Sequence, residues 1–165
     1  MVWTKKFPGV SHMLPCSVVL LTAGSKEKKD AMTATCMFIS EDPPLFVVSI
    51  AKHLLSHDLI EQTGEFVLNV ASRDQVKLAR QLGASHGTKV DKFKKFGIVT
   101  EDASVVSAPL VKGAAANIEC RALTSFPASN YVVYLAEVVA FKVDDKTVPV
   151  AWYMDKYYAL EKEVK

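Results

Sequence analysis

Short apolar runs separated by turn residues carry most of this chain, and the runs read as strands. Ser17–Ala23 (SVVLLTA) is β-branched and apolar, the pattern of a buried strand. Gly24–Asp30 follows with turn chemistry, and its Lys26–Lys29 cluster reads as a solvated hairpin tip. Ala31–Phe38 returns as a second strand, so the pair predicts a hairpin. Pro43 and Pro44 cannot both donate to a ladder, so Glu41–Pro44 breaks it. Leu45–Ile50 is a third strand, near-continuously apolar and expected to be buried on both faces.

The period then changes. Leu54–Thr63 puts Leu55, Leu59 and Ile60 on one helical face. Ser56 is placed as its N-cap, with Asp58 in the first turn and Gly64 as its stop. Glu65–Val70 is a fourth strand. Arg73–Leu82 is a second helix that stops at Gly83, and Asp91–Phe96 a short one ended by Gly97. Ala114–Leu123 and Tyr131–Val143 are long strands joined by the polar Ser125–Asn130. Val148–Tyr153 is a last strand, and the charged tail Asp155–Lys165 is placed as a helix candidate. Residues 1–15, punctuated by Pro8, Gly9 and Pro15, read as a lead-in. Strands in hairpin order with a few inserted helices favour an antiparallel barrel over a doubly wound parallel sheet.

Composition narrows the classes. At 165 residues, half of them hydrophobic and 23% charged, the chain is long enough for one domain with a sizeable core and too apolar for disorder. A single domain over residues 1–165 is expected, with its core over roughly 10–155 and the tail beyond. A net charge of +2 is too mild to argue for nucleic acid. No apolar run approaches the ~20 residues of a spanning helix, and the first residues hold no signal core, so a cytoplasmic protein off the membrane is expected. Cys16, Cys36 and Cys120 are far apart and form no CxxC pair, which suggests neither a disulfide framework nor a zinc site.

Chemistry concentrates between Ala31 and Ile60, where a strand–turn–strand unit leads through Ala51–Ser56 into a helix. A helix start after a strand suits an anion, because its free N–H groups and dipole favour negative charge. Lys52 supplies a cation there, and Ser56 a hydroxyl. His53 and His57 stand four apart, but no Glu follows at zincin spacing, so no metal is expected. Neither a Gly-x-Ser-x-Gly nor a GxGxxG occurs.

Several segments, in order, resemble one family. They are Ala31-Met32-Thr33-Ala34-Thr35, Ser40, Asp42-Pro43-Pro44, Leu45–Ile50, Ser56 before a helix, and Thr63–Val70 (TGEFVLNV). Asp91-Lys92-Phe93 with Gly97, Ile118-Glu119-Cys120 and Glu137-Val138-Val139 follow. The set is similar to the flavin reductase-like and flavoredoxin-like proteins that bind FMN in a split β-barrel, and it covers roughly residues 10–155.

The resemblance implies a mainly β fold with inserted helices, a six-stranded antiparallel Greek-key split barrel, and a homodimer with FMN near the interface. It places the isoalloxazine along Thr33, Ala34, Thr35 and Cys36, with Ser49 nearby. It places the phosphate at Lys52, Ser56 and His57, with Lys92 as a second cation. The implied activity is NAD(P)H-dependent flavin reduction, with NADH or NADPH as co-substrate and a monooxygenase or electron-transfer protein as partner. Many nicotinamide-using relatives carry Gly-Asp-His where this chain has Ser129-Asn130-Tyr131. Tyr131 is therefore the candidate on the nicotinamide side. An FMN-binding electron carrier fed by a protein donor and a non-catalytic flavin module stay open as alternatives.

Overall fold

The computed structural model describes residues 10–163 of the chain. Its main sheet is built from β2 (Val19–Gly24), β3 (Lys29–Ala34), β4 (Cys36–Glu41), β5 (Pro44–Ala51), β6 (Glu65–Val70), β9 (Ala116–Ala128) and β10 (Tyr131–Val143). The strand order is β3-β2-β6-β9-β10-β5-β4, with every neighbouring pair antiparallel. The two end strands, β3 and β4, follow one another in the chain with Thr35 alone between them. The sheet therefore curls until its ends meet at one residue, which makes it a barrel.

That seam changes the expected strand count. The single strand expected over Ala31–Phe38 is two strands, because its halves serve different neighbours. β3 pairs with β2 as far as Ala34↔Val19, whereas β4 pairs with β5 from Cys36↔Val48. The break expected at Glu41–Pro44 narrows to Asp42–Pro43, joined by a cis peptide bond.

The long hairpin also exceeds its sequence pattern. β9 runs through the polar stretch expected as a loop, and only Ser129 and Asn130 turn, with Ser129 at φ 56°. The cross-strand ladder with β10 overrides the polar composition. Pro127 fits because β6 pairs with β9 only over Ala116–Arg121, which leaves β9 an open edge beyond.

A smaller sheet joins β1 (Cys16–Ser17), β11 (Val150–Tyr153) and β12 (Lys156–Ala159), and β7 (Thr100–Glu101) pairs with β8 (Leu110–Val111). The C-terminal tail is thus a hairpin where a helix is expected. Its turn residues Met154 and Asp155 both have positive φ, which Met-Asp does not advertise. The lead-in is described only from Val10, where a 3₁₀ turn (Val10–Met13) precedes β1.

Hydrophobic core lies on both faces of the sheet. The barrel interior packs Val19, Leu21, Ile50, Phe66, Leu68 and Tyr134, and α1 (Leu55–Thr63) adds Leu59 and Ile60. Outside, α2 (Val76–Gly83) and α3 (Lys92–Phe96) press Ala79, Leu82 and Phe93 onto Leu20 and Ala31. Each fully buried leucine adds roughly 1.5–3 kcal/mol. Asn69 ties the layers. Its amide donates to Leu20 O at 2.6 Å, and its carbonyl accepts from Val111 N and Asn117 Nδ2. No helix among the described residues is long and apolar enough to cross a membrane.

Candidate functional site

Asp30 organises the ground beneath the site. Its carboxylate is buried on β3, accepts from Ser56 Oγ at 2.7 Å and pairs with Lys92 Nζ at 3.0 Å. Lys92 also donates to Ala31 O at 2.6 Å. A third segment closes over the pair. At Gly87 a Cβ would stand 2.3 Å from Asp30 Oδ1, so only glycine allows that approach. One buried carboxylate thus fastens the start of α1, the 84–91 loop and the start of α3 to β3.

This arrangement corrects two expectations. Ser56 does not cap α1, whose N-cap position is Leu54 with no side-chain bond. Ser56 lies one residue inside the helix, fully buried, and its hydroxyl is turned inward to Asp30. Lys92, expected as a second cation, is 2% exposed with its ammonium engaged by Asp30, which would otherwise be a lone buried charge.

The Thr33–Cys36 stretch forms the seam between β3 and β4. Thr33 donates its hydroxyl to Ala79 O of α2 at 2.6 Å. Thr35 lies in neither ladder, so its peptide groups have no strand partner. Cys36 accepts from Ser17 Oγ through its carbonyl at 2.9 Å. Burial pushes the Cys36 thiol up, against the Ser17 hydroxyl contact, so it is a protonated, unreactive sulfur at neutral pH.

Two cavities share Thr35. One, of about 650 Å³, runs over the outer face of β4, β5 and β10, between Ser17, Cys36, Ser49 and Val133. The other, of about 260 Å³, has Thr33–Thr35 as its floor and Trp152 and Tyr157 as walls. Ser49 is exposed and stands opposite Val133 in the β5–β10 ladder. Two residues on, Ala51 faces Tyr131, and the exposed Lys52 donates its Nζ to Ser129 O at 2.9 Å. Thr33, Ala34, Thr35, Cys36 and Ser49 therefore gather around the cavities, and Lys52 and Tyr131 mark the rim of the same strand pair. His57 faces away, with its ring against Tyr134 and its Nδ1 3.3 Å from Asp58. His53 is the histidine that meets the 84–91 loop, its ring 5.9 Å from that of His86.

The residues that sequence reading misses are Asp30, Gly87, Trp152 and Tyr157. The last two carry a signal, since paired aromatics flank a turn, but a tail read as helix hides it. Asp30 closes the segment that reads as a turn, and Gly87 lies between the second and third expected helices.

The seam suits the flavin that the sequence motifs suggest. An unladdered peptide at Thr35, open to both cavities, fits a planar ring with a hydrogen-bonding edge. The aromatic walls fit its faces.

A curled antiparallel barrel with this seam and these cavities is the split-barrel class of flavin proteins. The chain belongs to the flavin reductase-like family, because the family model described as "Flavin reductase like domain" matches residues 11–161. Among relatives, the reductase component of an FADH(2)-dependent resorcinol hydroxylase from a Rhizobium species is 25% identical over 158 residues, 94% of this chain and 86% of that one. Among solved structures, the NADH:FAD oxidoreductase of Streptomyces globisporus superposes with a TM-score of 0.87 at 22% identity, covering 98% of both chains. Flavoredoxin of Desulfovibrio vulgaris superposes with a TM-score of 0.85 at 22% identity, covering 99% of this chain and 96% of that one.

Proposed function

We propose that the chain is a flavin reductase that binds FMN and takes hydride from NADH or NADPH. The observation that supports it most is the seam at Thr35, where free peptide groups open on two cavities. When bound there, FMN supplies a ring that accepts a hydride and hands on electrons. The protein's part is positional, and that is enough to carry most of the rate.

Thr35 offers its N–H and C=O to the polar edge of the ring, with Thr33, Ala34, Cys36 and Ser49 around it. Leu14, Phe38 and Val47 line the larger cavity with apolar surface. Lys52 carries the charge that meets the phosphate, beside the free N–H groups at the start of α1. Ser56 and Lys92 act from behind, by holding α1 and the 84–91 loop through Asp30. Tyr131, half exposed on the rim, faces the incoming nicotinamide.

Electrons then pass to a monooxygenase or another electron-transfer protein, a reading supported by the resorcinol hydroxylase relative. A homodimer is part of the proposal, supported by the exposed apolar Leu14, Met37 and Ile39 near the larger cavity. Three free cysteines support a reducing, cytoplasmic setting.

The test is anaerobic mixing of the flavin-loaded protein with NADH and, separately, NADPH. Bleaching of the flavin band by either one supports a reductase. A loaded protein that neither bleaches is no reductase. The second reading, an electron carrier reduced by a protein donor, is favoured by Tyr131 in place of the histidine of nicotinamide-using relatives. In that case a reduced donor protein bleaches the band where both nucleotides fail.

A further inference from the structure

His53 and His86 are brought together by a contact that neither of them makes. His53 stands three residues before Ser56, whose hydroxyl donates to Asp30 Oδ2. His86 stands next to Gly87, which packs against Asp30 Oδ1. One buried carboxylate therefore fixes both loops. Each histidine also sits in a hydrogen-bonded turn. Leu54 N donates to Ala51 O at 3.1 Å around His53, and Lys89 N donates to His86 O at 3.1 Å. Lys52 N donates to Asn130 O at 2.9 Å, which anchors the first turn to the end of the β9–β10 hairpin.

The two rings are exposed, with centres 5.9 Å apart and planes inclined at 53°. The other histidines are engaged. Nδ1 of His12 lies 2.9 Å from Asp155, and Nδ1 of His57 lies 3.3 Å from Asp58. Among the described residues His53 and His86 have no such carboxylate. Sequence spacing offers His53 with His57, but the fold pairs His53 with a residue from another loop.

Two imidazoles bonded to one metal ion at about 2.1 Å hold their ring centres roughly 4.5–6.4 Å apart, depending on the angle at the metal. The separation here lies inside that range, so ring rotation alone can aim both nitrogens at one ion. Loops already held in place lose little freedom when the ion arrives. Imidazole nitrogen suits Cu²⁺, Ni²⁺ and Zn²⁺, whereas Mg²⁺ takes oxygen.

We propose that His53 and His86 form a two-histidine site for a divalent transition metal, with Cu²⁺ held more tightly than Ni²⁺ or Zn²⁺. Among the described residues no third His, Cys, Asp or Glu joins them, so water completes the coordination and the ion exchanges with solvent. The ion ties the 51–54 turn to the 84–91 loop at the surface, as Asp30 ties them beneath. The site stands whether or not the chain binds flavin.

The experiment titrates Zn²⁺, Ni²⁺, Cu²⁺ and Mg²⁺ separately into the full chain by calorimetry. It compares the unaltered protein with His53→Ala, His86→Ala, Gly87→Ala and His57→Ala. One Zn²⁺ per chain is expected, and no Mg²⁺. Losing either ring removes the second, intramolecular bond, so His53→Ala and His86→Ala are each expected to weaken Zn²⁺ at least about tenfold. Gly87→Ala keeps both rings but moves one loop, and is expected to weaken it as well. His57→Ala is expected to bind as the original does. At a hundredfold excess over its dissociation constant, Zn²⁺ is expected to raise the melting temperature of the unaltered protein by about 5–11 °C. Equal Zn²⁺ affinity in the unaltered protein and His86→Ala overturns the site. So does a loss on His57→Ala, which would assign the ion to the pair four apart in sequence. One ion per two chains also overturns it, because the metal would then lie between copies.

Discussion

Lys92 Nζ lies 3.0 Å from Asp30 Oδ1, and their side chains are only 1% and 2% exposed. Removing either one strands a buried charge, at a cost of roughly 3–5 kcal/mol. Lys92→Met is therefore expected to lower the melting temperature by about 6–20 °C in a chain of this size. The double variant Asp30→Asn/Lys92→Met is expected to lose less than the sum of the single changes, because the second change removes the orphan left by the first. Calorimetry of the four proteins checks this, and additive losses would show that the two charges do not couple.

Gly87 is required by contact with the same carboxylate. A methyl group there would sit 2.3 Å from Asp30 Oδ1. Gly87→Ala must push the loop off Asp30 and is expected to cost about 1–3 kcal/mol, read from the urea midpoint. Since that loop carries His86 to His53, the change also separates the two rings. A nuclear magnetic resonance contact between them that survives in the variant would show that the loop had not moved.

Glu119 gives the fold a dependence on acid. Burial alone would raise its pKa. Hydrogen bonds from Ser104 N and Oγ, Val105 N and Val106 N, at 2.7–3.1 Å, outweigh burial and hold it below the usual glutamate value. A carboxyl lowered by folding contributes stability above its unfolded pKa and loses it as pH falls through the folded value. Glu119→Gln is expected to cost about 1–3 kcal/mol at neutral pH. The gap from the unaltered protein should narrow below about pH 4, as its own Glu119 takes up a proton. A gap that stays constant from pH 7 to pH 3 would count against the carboxylate.

Cys120 is fully buried in the barrel core, and its thiol is pushed up to about 12, first by burial and then by Cys36 and Glu119. The thiolate is the reactive form. Alkylation of native protein at pH 8 is expected to spare Cys120 until urea unfolds the chain. Mass mapping of labelled peptides reads this directly, and early labelling of Cys120 would mean that the barrel opens without global unfolding.

Strand and helix positions in the first half were legible because each apolar run has one period. β2, β5, β6 and α1 stand close to where Ser17–Ala23, Leu45–Ile50, Glu65–Val70 and Leu54–Thr63 put them. The break at Thr35 was not legible, because it arises from two ladders competing for one segment. The helix expected over the tail failed because Met154 and Asp155 turn in a conformation their residue types rarely signal. Thr33–Cys36 and Ser49, named from local motifs, surround the two cavities. The engagement of Ser56 and Lys92 was not legible. It depends on a carboxylate 26 residues from one and 62 from the other in the chain, which no local pattern reports.

Past Ala122, the far part of β9 has β10 on one side and, among the described residues, no strand on the other. Such an edge is a template onto which a foreign strand can add. Leu123 and Phe126, both more than half exposed, make this one adhesive as well. Pro127 has no N–H to donate and leaves a gap in the row. That single residue limits how far an added strand can zip, and it stands where a crowded solution would first draw two barrels into a fibre.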